Sequence, residues 1–368
     1  MPHWIDSPAQ LAQRLQSLPA WVGLDTEFIR ERTYWPQLAL VQIAIDDGAG
    51  EQDVLLVDPL PPGMTDALKP LLTAPGTTKV MHSASEDIVA LHHACGVTPA
   101  PLFDTQIAAA LAGVGAGLGY QKLVQEIAGV ALDKGETRSD WLRRPLSAAQ
   151  LQYAADDVLH LGALYSALQG RLAALGREDW LRADCARLVA NADDAGERWP
   201  HLSMRSAQFL DADAQRILLR LLRWRDAQAR SSDRPRNWIL DNELAATLAR
   251  TPPADFAALT AWLDRTPKSP RKLAEPLWRA LTTPLPDEAG IPLARNGNND
   301  DKAALKRLQD AVAQRSRELG LPDGVLASRR WLEVLLDRGE WPPALQGWRR
   351  EQLGSLLAPL LASPSASG

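Results

Sequence analysis

The chain has 368 residues, of which 46% are hydrophobic and 23% charged, and its formal net charge is −5. This length exceeds one ordinary hydrophobic core, so we expect two or three domains. The sequence has no apolar run long enough for a membrane-spanning helix, and its first residues lack the basic and apolar regions of a signal peptide, so we expect a cytoplasmic protein. Cys95 and Cys185 are far apart and lack metal-ligand spacing, which argues against a disulfide framework and a zinc site.

Hydrophobic periodicity predicts an alternation of strands and helices in the first half of the chain. The predicted elements are a helix at 6–18, strands at 21–28, 38–45 and 53–57, a helix at 64–73, a strand at 78–82, a helix at 86–94 and a short strand around 102–103. From 105 to about 190 the pattern is almost entirely helical. Three consecutive strands indicate an antiparallel meander, and the strands and helices that alternate after it predict an α/β fold with a mixed sheet flanked by helices.

The strand predicted at 21–28 carries two acids two positions apart, Asp25 and Glu27. Side chains at positions i and i+2 leave a strand from the same face, so both carboxylates point to one side of the sheet. Two acids there repel each other unless a cation lies between them, and oxygen ligands on a rigid element favour Mg²⁺ or Mn²⁺. A strand end that runs into solvent would also explain this pair.

A further acid follows the strand predicted at 78–82. We expect Ser85 to be the N-cap of the next helix, with Glu86 and Asp87 in its first turn, where the helix dipole favours negative charge. Asp87 therefore lies at a strand-to-helix junction. Capping alone would also explain these residues.

A third stretch has the spacing of one helical face. Tyr153 and Asp157 are four residues apart, which places them one turn apart on the same side of a helix, whereas Asp156 is rotated away from them. Any amphipathic helix can contain such a pair by chance, so the spacing alone does not define a site.

Taken together, these motifs resemble the DEDD superfamily of exonucleases, in the branch with a tyrosine in its third motif, and within it the bacterial ribonuclease D family. The resemblance is carried by GLDTEF at 23–28, RTYWP at 32–36, HSASED at 82–87, SDWLRRPL at 139–146 and YAADD at 153–157. It covers the first half of the chain. It implies a ribonuclease H-like fold, in agreement with the mixed sheet predicted above.

The resemblance implies a metal-dependent 3′–5′ exoribonuclease that releases nucleoside 5′-monophosphates and trims the 3′ ends of tRNA precursors. It implies two Mg²⁺ or Mn²⁺ ions per site and RNA as the partner, with no obligate protein partner and no membrane. A 3′–5′ DNA exonuclease with the same five residues and a non-catalytic RNA-binding protein are the two alternatives.

The resemblance also gives each site residue a role. Asp25 would bridge the two ions, and Glu27 and Asp157 would be further ligands of the ion that binds the attacking water. Asp87 would be an outer or water-mediated ligand of the other ion. Tyr153 would orient the attacking water through its hydroxyl, because a phenol with a pKa of about 10 is a poor base.

Three charged residues near these motifs have other candidate roles. Arg143 and Arg144 precede the third motif, and they are candidate substrate contacts or ordinary surface charges. Asp104 lies at another strand-to-helix junction, where capping explains it better than metal binding.

The second half of the chain differs in charge from the first. Residues 1–210 carry −9, residues 211–280 carry +4, and the remainder is neutral. The basic segment contains an amphipathic helix predicted at 214–228, and it resembles the HRDC domain shared by certain helicases and ribonuclease D. Such modules are helical and commonly contact nucleic acid, so Trp224 and Trp238 are candidates for base stacking, with core packing as the alternative.

A second stretch near the end of the chain, at 302–362, resembles the same HRDC module more weakly. We therefore predict three domains, namely a 3′–5′ exonuclease domain at 1–200, an HRDC domain at 211–283 and a second, degenerate HRDC-like helical domain at 302–362.

Overall fold

A computed structural model of the chain describes residues 2–46, 52–132, 135–136, 139–192, 196–295 and 299–362. The chain groups into two compact units. The first unit consists of Met1–Ile29, Gln37–Asp193 and Asn299–Gly368, and the second of Arg30–Pro36 and Asp194–Asn298. In the described part of the chain, no helix has both the length and the apolar character that a membrane span requires.

The first unit is built on a mixed sheet, which has six strands among the described residues. They are β1 (His3–Ile5), β2 (Trp21–Ile29), β3 (Gln37–Asp46), β4 (Gln52–Val57), β5 (Thr78–Met81) and β6 (Leu102–Asp104). They lie in the order β1-β4-β3-β2-β5-β6. The β4-β3 and β3-β2 pairs are antiparallel, and the other three pairs are parallel. The predicted meander and mixed sheet are therefore confirmed.

The alternation of side chains along the strands gives the sheet two buried faces. The core on one face includes Leu40, Ala44, Leu56, Val80, Ala154 and Val158. The core on the other face includes Val22, Leu24, Ile43, Leu55, Leu68 and Ile88. Burial on both sides explains why the central strands have nearly continuous apolar sequences.

Helices cover both faces of this sheet. They are α1 (Pro8–Arg14), α2 (Met64–Thr73), α3 (Ser85–Cys95), α4 (Thr105–Leu111), α5 (Tyr120–Ala128), α6 (Ala148–Leu159), α7 (Leu161–Leu175) and α8 (Glu178–Ala190). The bounds of α2 match the prediction, and those of α3 differ from it by one residue at each end. Cys95 and Cys185 are both free and buried.

The sequence prediction was wrong at the start of the chain, where it gave a helix at 6–18 and no strand. Residues 3–5 form β1, which pairs in parallel with β4 at the edge of the sheet. The helix begins only at Pro8, a residue suited to the first helical position because it lacks an N–H group. A strand of three residues shows no periodicity, so only its partner strand reveals it.

The second unit is helical. Its α-helices are α9 (Ala212–Ser232), α10 (Arg236–Ile239), α11 (Asn242–Arg250), α12 (Phe256–Arg265) and α13 (Ala274–Thr282). Its core includes Leu218, Leu222, Leu248, Leu259 and Leu277. The basic amphipathic helix predicted at 214–228 lies within α9. Trp224 packs against this core, whereas the side chain of Trp238 is 60% exposed.

The segment Arg30–Pro36 belongs to this second unit. Tyr34 is buried, and its hydroxyl donates a hydrogen bond of 3.1 Å to Asp226 and accepts one of 2.6 Å from Arg236. Asp233 accepts hydrogen bonds of 3.0 Å from the backbone N–H groups of Tyr34 and Trp35. These contacts explain why the segment groups with distant residues rather than with its neighbours in sequence.

Three helices near the end of the chain belong to the first unit. They are α14 (Asn299–Leu319), α15 (Arg329–Arg338) and α16 (Trp348–Ala362). Arg349 donates hydrogen bonds of 2.6 and 2.8 Å to the two carboxylate oxygens of buried Asp184, and Trp348 stacks on Trp180 with 4.3 Å between ring centroids. These helices therefore pack with the sheet-containing fold, and the identification of residues 302–362 as a second HRDC-like domain stays a prediction.

Candidate active site

β2 carries the first two acids of the site. Asp25 lies opposite Gln42 of β3 in the antiparallel ladder. Glu27 lies opposite Leu40, a core residue of the face covered by α6 and α7, so both acids project from that face. The pairing register shifts between Glu27 and Phe28, and a bulge of this kind re-aims the side chains beside it.

α6 lies across the same face and carries Tyr153 and Asp157. Ser147 and Gln150 form a capping box that fixes the start of this helix. Ala154 is fully buried, and its small side chain allows the helix to approach β2, β3 and β4 closely. The i, i+4 spacing then brings the acid and the phenol over the two carboxylates of β2.

Asp87 reaches the site from the first turn of α3, where it is buried. It accepts a hydrogen bond of 2.6 Å from the Thr26 hydroxyl. Sequence reasoning missed this role of Thr26. The available signal was the alternation of side chains in β2, which turns Thr26 to the face opposite Asp25 and Glu27.

The start of α3 is capped differently from the prediction. The helix begins at Ser85 itself, and the Asp104 carboxylate accepts hydrogen bonds of 3.3 and 2.9 Å from the N–H groups of Ser83 and Ala84. The same carboxylate accepts hydrogen bonds from two N–H groups at the start of α4. The prediction of Ser85 as N-cap is therefore wrong, because Ala84 holds that position and no side chain caps the helix, whereas capping of α4 by Asp104 is confirmed.

Three of the acids form one compact cluster. Asp25, Glu27 and Asp157 each offer a carboxylate oxygen, and these oxygens lie within 4.8 Å of one another. Asp87 is not in this group of oxygens, but its charge raises the pKa of Asp25. The structure thus clusters three of the four acids that the sequence motifs predict and places the fourth, Asp87, near enough for its charge to act on Asp25.

Burial and mutual repulsion hold protons on this cluster. Burial raises the pKa of Asp25 well above its usual value, and the charges of the other three acids raise it further. Burial, with neighbouring carboxylates, raises the pKa of Glu27 to about 8 and that of Asp157 to about 7. Burial raises the pKa of Asp87 to about 6, although the Thr26 hydroxyl opposes the shift. Such shifts are typical of a functional site.

Tyr153 lies beside these acids and remains a neutral phenol. Burial raises its pKa, and so do the charges of the neighbouring Asp157 and Glu27 carboxylates. Trp141 packs near its ring, with 6.1 Å between ring centroids. The backbone of Gly135 lies against the same ring, because a Cβ added at Gly135 would overlap it. The ring is therefore held from two sides.

The two candidate substrate arginines have different surroundings. Arg144 forms a bidentate ion pair with Asp58, with distances of 2.7 and 2.8 Å, and also donates to the carbonyl groups of Ala39 and Trp141. These contacts give Arg144 a structural role. Arg143 is exposed, and its role as a substrate contact stays a prediction.

The four carboxylates fit a hard divalent cation. They offer only oxygen donors, which Mg²⁺ and Mn²⁺ prefer, and three of those oxygens lie close enough to share an ion. A cation at this position would also reverse the pKa shifts, because a nearby positive charge favours the ionised form of each acid.

Fold and site together define a class of protein. The sheet is mixed, its central strand and two helices carry the acids, and a tyrosine lies beside them. This is the arrangement of a 3′–5′ exonuclease. In agreement, the family model described as 3′-5′ exonuclease matches residues 2–173.

Comparison with known proteins identifies the family. The chain is 63% identical to a ribonuclease D of Xanthomonas oryzae pv. oryzae, with 100% of both chains covered. It is 38% identical to a ribonuclease D of Pseudomonas paraeruginosa, with 98% of this chain and 97% of the relative covered. It is similar to the crystal structure of Escherichia coli RNase D, described as an exoribonuclease involved in structured RNA processing, with a TM-score of 0.83, 30% identity and 98% of each chain covered. The chain belongs to the ribonuclease D family.

Membership of this family confirms the predicted fold class and activity. The chain is a 3′–5′ exoribonuclease, and its substrate is RNA. Exonucleases of this superfamily depend on divalent metal, and the acidic cluster that such dependence requires is present. The helical second unit is consistent with the predicted HRDC-type module.

Proposed function

We propose that this exoribonuclease trims the 3′ ends of tRNA precursors and releases nucleoside 5′-monophosphates in a reaction that depends on two Mg²⁺ or Mn²⁺ ions. The observation that carries the proposal is the convergence of Asp25, Glu27 and Asp157 within 4.8 Å, with Tyr153 beside them. The description of Escherichia coli RNase D as an enzyme of structured RNA processing supports a structured RNA as the substrate. A cytoplasmic location stays a prediction from the sequence.

The acids divide between two cation sites in this proposal. Asp25, Glu27 and Asp157 would hold one ion, and Asp25 with Asp87 would hold the other. Such ions activate a water for attack and neutralise charge on the phosphate and on the leaving 3′ oxygen. The protein keeps the carboxylates on three rigid elements, so their oxygens are in position before the substrate arrives.

Tyr153 orients the attacking water in this proposal. Its raised pKa keeps the hydroxyl protonated at neutral pH, so it donates or accepts a hydrogen bond and does not remove the proton. The Asp157 carboxylate lies close enough to the hydroxyl to raise the pKa of the phenol, and the hydroxyl in turn opposes the rise in the pKa of Asp157. A water held by both groups would face the phosphate in a fixed direction.

The second unit contributes RNA binding in this proposal. Its segment 211–280 carries +4, and a positive segment attracts phosphates over distances of about one Debye length. The unit contains a cleft of about 890 Å³ whose lining includes Arg198, Arg223, Arg225, Arg230 and Arg236 together with Glu197, Asp226 and Asp287. Exposed Trp238 offers a surface on which a base can stack.

A direct assay tests the proposal. A tRNA with a labelled 5′ end and a short 3′ extension is incubated with the full-length protein, with EDTA, Mg²⁺ or Mn²⁺, and the product lengths are followed over time. We expect stepwise shortening from the 3′ end to the mature length, only with divalent metal. Shortening in EDTA would contradict metal dependence, and no preference for the extended tRNA over a matched unstructured RNA would contradict the proposed substrate. A matched DNA strand serves as the control for sugar specificity.

A further inference from the structure

Gln42 is a fully buried polar side chain next to the acidic cluster. It lies on β3 directly opposite Asp25, and its exposed fraction is 0%. Neither its Oε1 nor its Nε2 has a hydrogen-bond partner among the residues that the structure describes. Its neighbours on the same strand face, Leu40 and Ala44, are core residues. An amide thus occupies a position where packing alone would favour an apolar side chain.

An amide without partners is costly in a folded protein, because burial removes its hydrogen bonds to water. The other buried amide side chains in the described part of the chain, Gln150 and Gln215, have partners. Gln215, for example, donates hydrogen bonds of 3.0 Å to the carbonyl groups of Leu210 and Ala294 and accepts one of 2.7 Å from the Ala294 N–H group. Gln42 thus has an amide without a partner, directly opposite Asp25 in the strand register.

We propose that Gln42 is a positioning residue for Asp25, and that its Nε2 donates a hydrogen bond to the Asp25 carboxylate when that carboxylate holds a divalent cation. Directly opposed residues of an antiparallel pair have Cβ atoms about 4.5–5.5 Å apart, so a side-chain rotation brings the amide to the carboxylate. The inference rests on the proposed metal dependence.

The chemistry of the amide suits this task. A neutral N–H donor fixes the orientation of a metal-binding carboxylate without cancelling its charge, whereas a lysine or arginine at Gln42 would compete with the cation. Groups that hold a metal ligand in this way typically contribute about 10–100-fold to metal affinity or activity. The free Oε1 of Gln42 can at the same time accept a hydrogen bond from an enclosed water.

Gln42→Met removes the amide and nearly keeps the volume of the side chain. We expect this variant to bind Mn²⁺ about tenfold more weakly in calorimetric titration, to lower kcat more than it changes KM, and to keep or raise the unfolding midpoint in EDTA. The control is Leu40→Met, a swap between apolar side chains two residues along the same strand face. It should leave the Mn²⁺ affinity unchanged.

The outcomes separate the inference from the proposed function. Failure of the unaltered protein to bind Mn²⁺ would overturn the proposed metal dependence. Binding by the unaltered protein with an equal affinity in Gln42→Met would overturn the role of Gln42 alone. A lower unfolding midpoint in EDTA with unchanged Mn²⁺ affinity would give Gln42 a purely structural role. If Gln42→Met does not fold, Gln42→Leu provides the same comparison.

Discussion

The hydroxyl of Thr26 donates a hydrogen bond of 2.6 Å to the carboxylate of Asp87, and both side chains are buried. Thr26 stands between Asp25 and Glu27 in sequence but faces the opposite side of the sheet. β2 therefore acts on the site from both of its faces, since it supplies two acids on one face and orients a third acid from the other.

Thr26→Val tests this relationship, because it keeps the shape of the side chain and removes the hydroxyl. We expect kcat to fall about tenfold, the usual effect of removing a group that orients a metal ligand. The Thr26 hydroxyl lowers the pKa of Asp87, so its loss should also move the acid limb of the pH–rate profile to higher pH. Thr26→Ser retains the hydroxyl and should restore most of the rate. Equal rates for the valine and serine variants would exclude the role of the hydrogen bond.

The neighbours Asp156 and Asp157 offer a matched pair of substitutions on one helix. Asp157 is in the acidic cluster, whereas Asp156 accepts a hydrogen bond of 2.8 Å from exposed Gln152. We expect Asp157→Asn to lower kcat by more than about 100-fold, the upper range for loss of an outer-shell partner. Asp156→Asn should leave kcat unchanged. Rates are measured on a short RNA oligonucleotide at saturating Mg²⁺, and a large loss in both variants would indicate a general effect on α6.

The pKa shifts predict an unusual pH dependence for the stability of the metal-free protein. Glu27 and Asp157 have pKa values of about 8 and 7 in the folded protein, above those of an unfolded chain. The folded state therefore binds more protons than the unfolded state, and its stability falls as pH rises from about 4.5 through 8. We expect the unfolding midpoint in EDTA to be lower at pH 8 than at pH 5.5.

Added Mn²⁺ should reverse this trend, because it binds the deprotonated carboxylates. The gain in unfolding midpoint on addition of Mn²⁺ should be larger at pH 8 than at pH 5.5. Asp157→Asn provides the control, since it removes one titrating group and should flatten both trends. A midpoint in EDTA that rises over this pH range would contradict the pKa shifts of the cluster.

Most of the site could be predicted from the sequence because its geometry is local. The two-residue spacing of Asp25 and Glu27 and the four-residue spacing of Tyr153 and Asp157 each determine which side of an element the side chains leave. Hydrophobic periodicity likewise predicted the three-strand meander and the bounds of α2, because these elements bury continuous or alternating apolar residues.

The rest of the site depends on contacts between residues far apart in sequence. Arg144 carries the same charge as Arg143, but only the fold shows that it is paired with Asp58, 86 positions away. The N–H group of Ala84, just before α3, donates to Asp104, 20 positions later. No periodicity encodes such partners, so charge in the sequence could not distinguish a structural arginine from an exposed one.

The contact between Gly135 and the Tyr153 ring is another that the sequence alone does not predict. A Cβ at this position would overlap the ring, so Gly135→Ala should displace the phenol. A displacement of about 1 Å can lower kcat by up to about 100-fold, and the affinity for Mn²⁺ should remain unchanged. Gly170→Ala is the control, because no atom lies within 4 Å of its added Cβ and it lies within α7. Unaltered kcat in Gly135→Ala would show that the ring accommodates the methyl group.

Trp238 gives a test of RNA binding by the second unit that leaves the fold intact. Deleting residues 211–368 would not test the second unit alone, because the deletion would also remove α14, α15 and α16, which pack in the first unit. Trp238 is 60% exposed, and nearby Arg234 is also exposed. Stacking of one base on an aromatic ring contributes about 1–3 kcal/mol. We therefore expect Trp238→Ala to weaken RNA binding about tenfold at low salt in EDTA, while kcat on a short oligonucleotide is unchanged.

Phe209→Ala is the matched control for Trp238. Phe209 is 65% exposed in the same unit, and the acidic residue Asp211 lies nearer to it in sequence than its nearest arginine, Arg205, whereas Arg234 and Arg236 both lie within four residues of Trp238. An acid nearby repels phosphate, so Phe209 should contribute little to RNA affinity, and its removal should leave the dissociation constant within about twofold, well below the loss of one stacked base. Equal losses in the two variants would mean that exposed aromatic area alone, whatever the charges beside it, determines the RNA affinity of this unit.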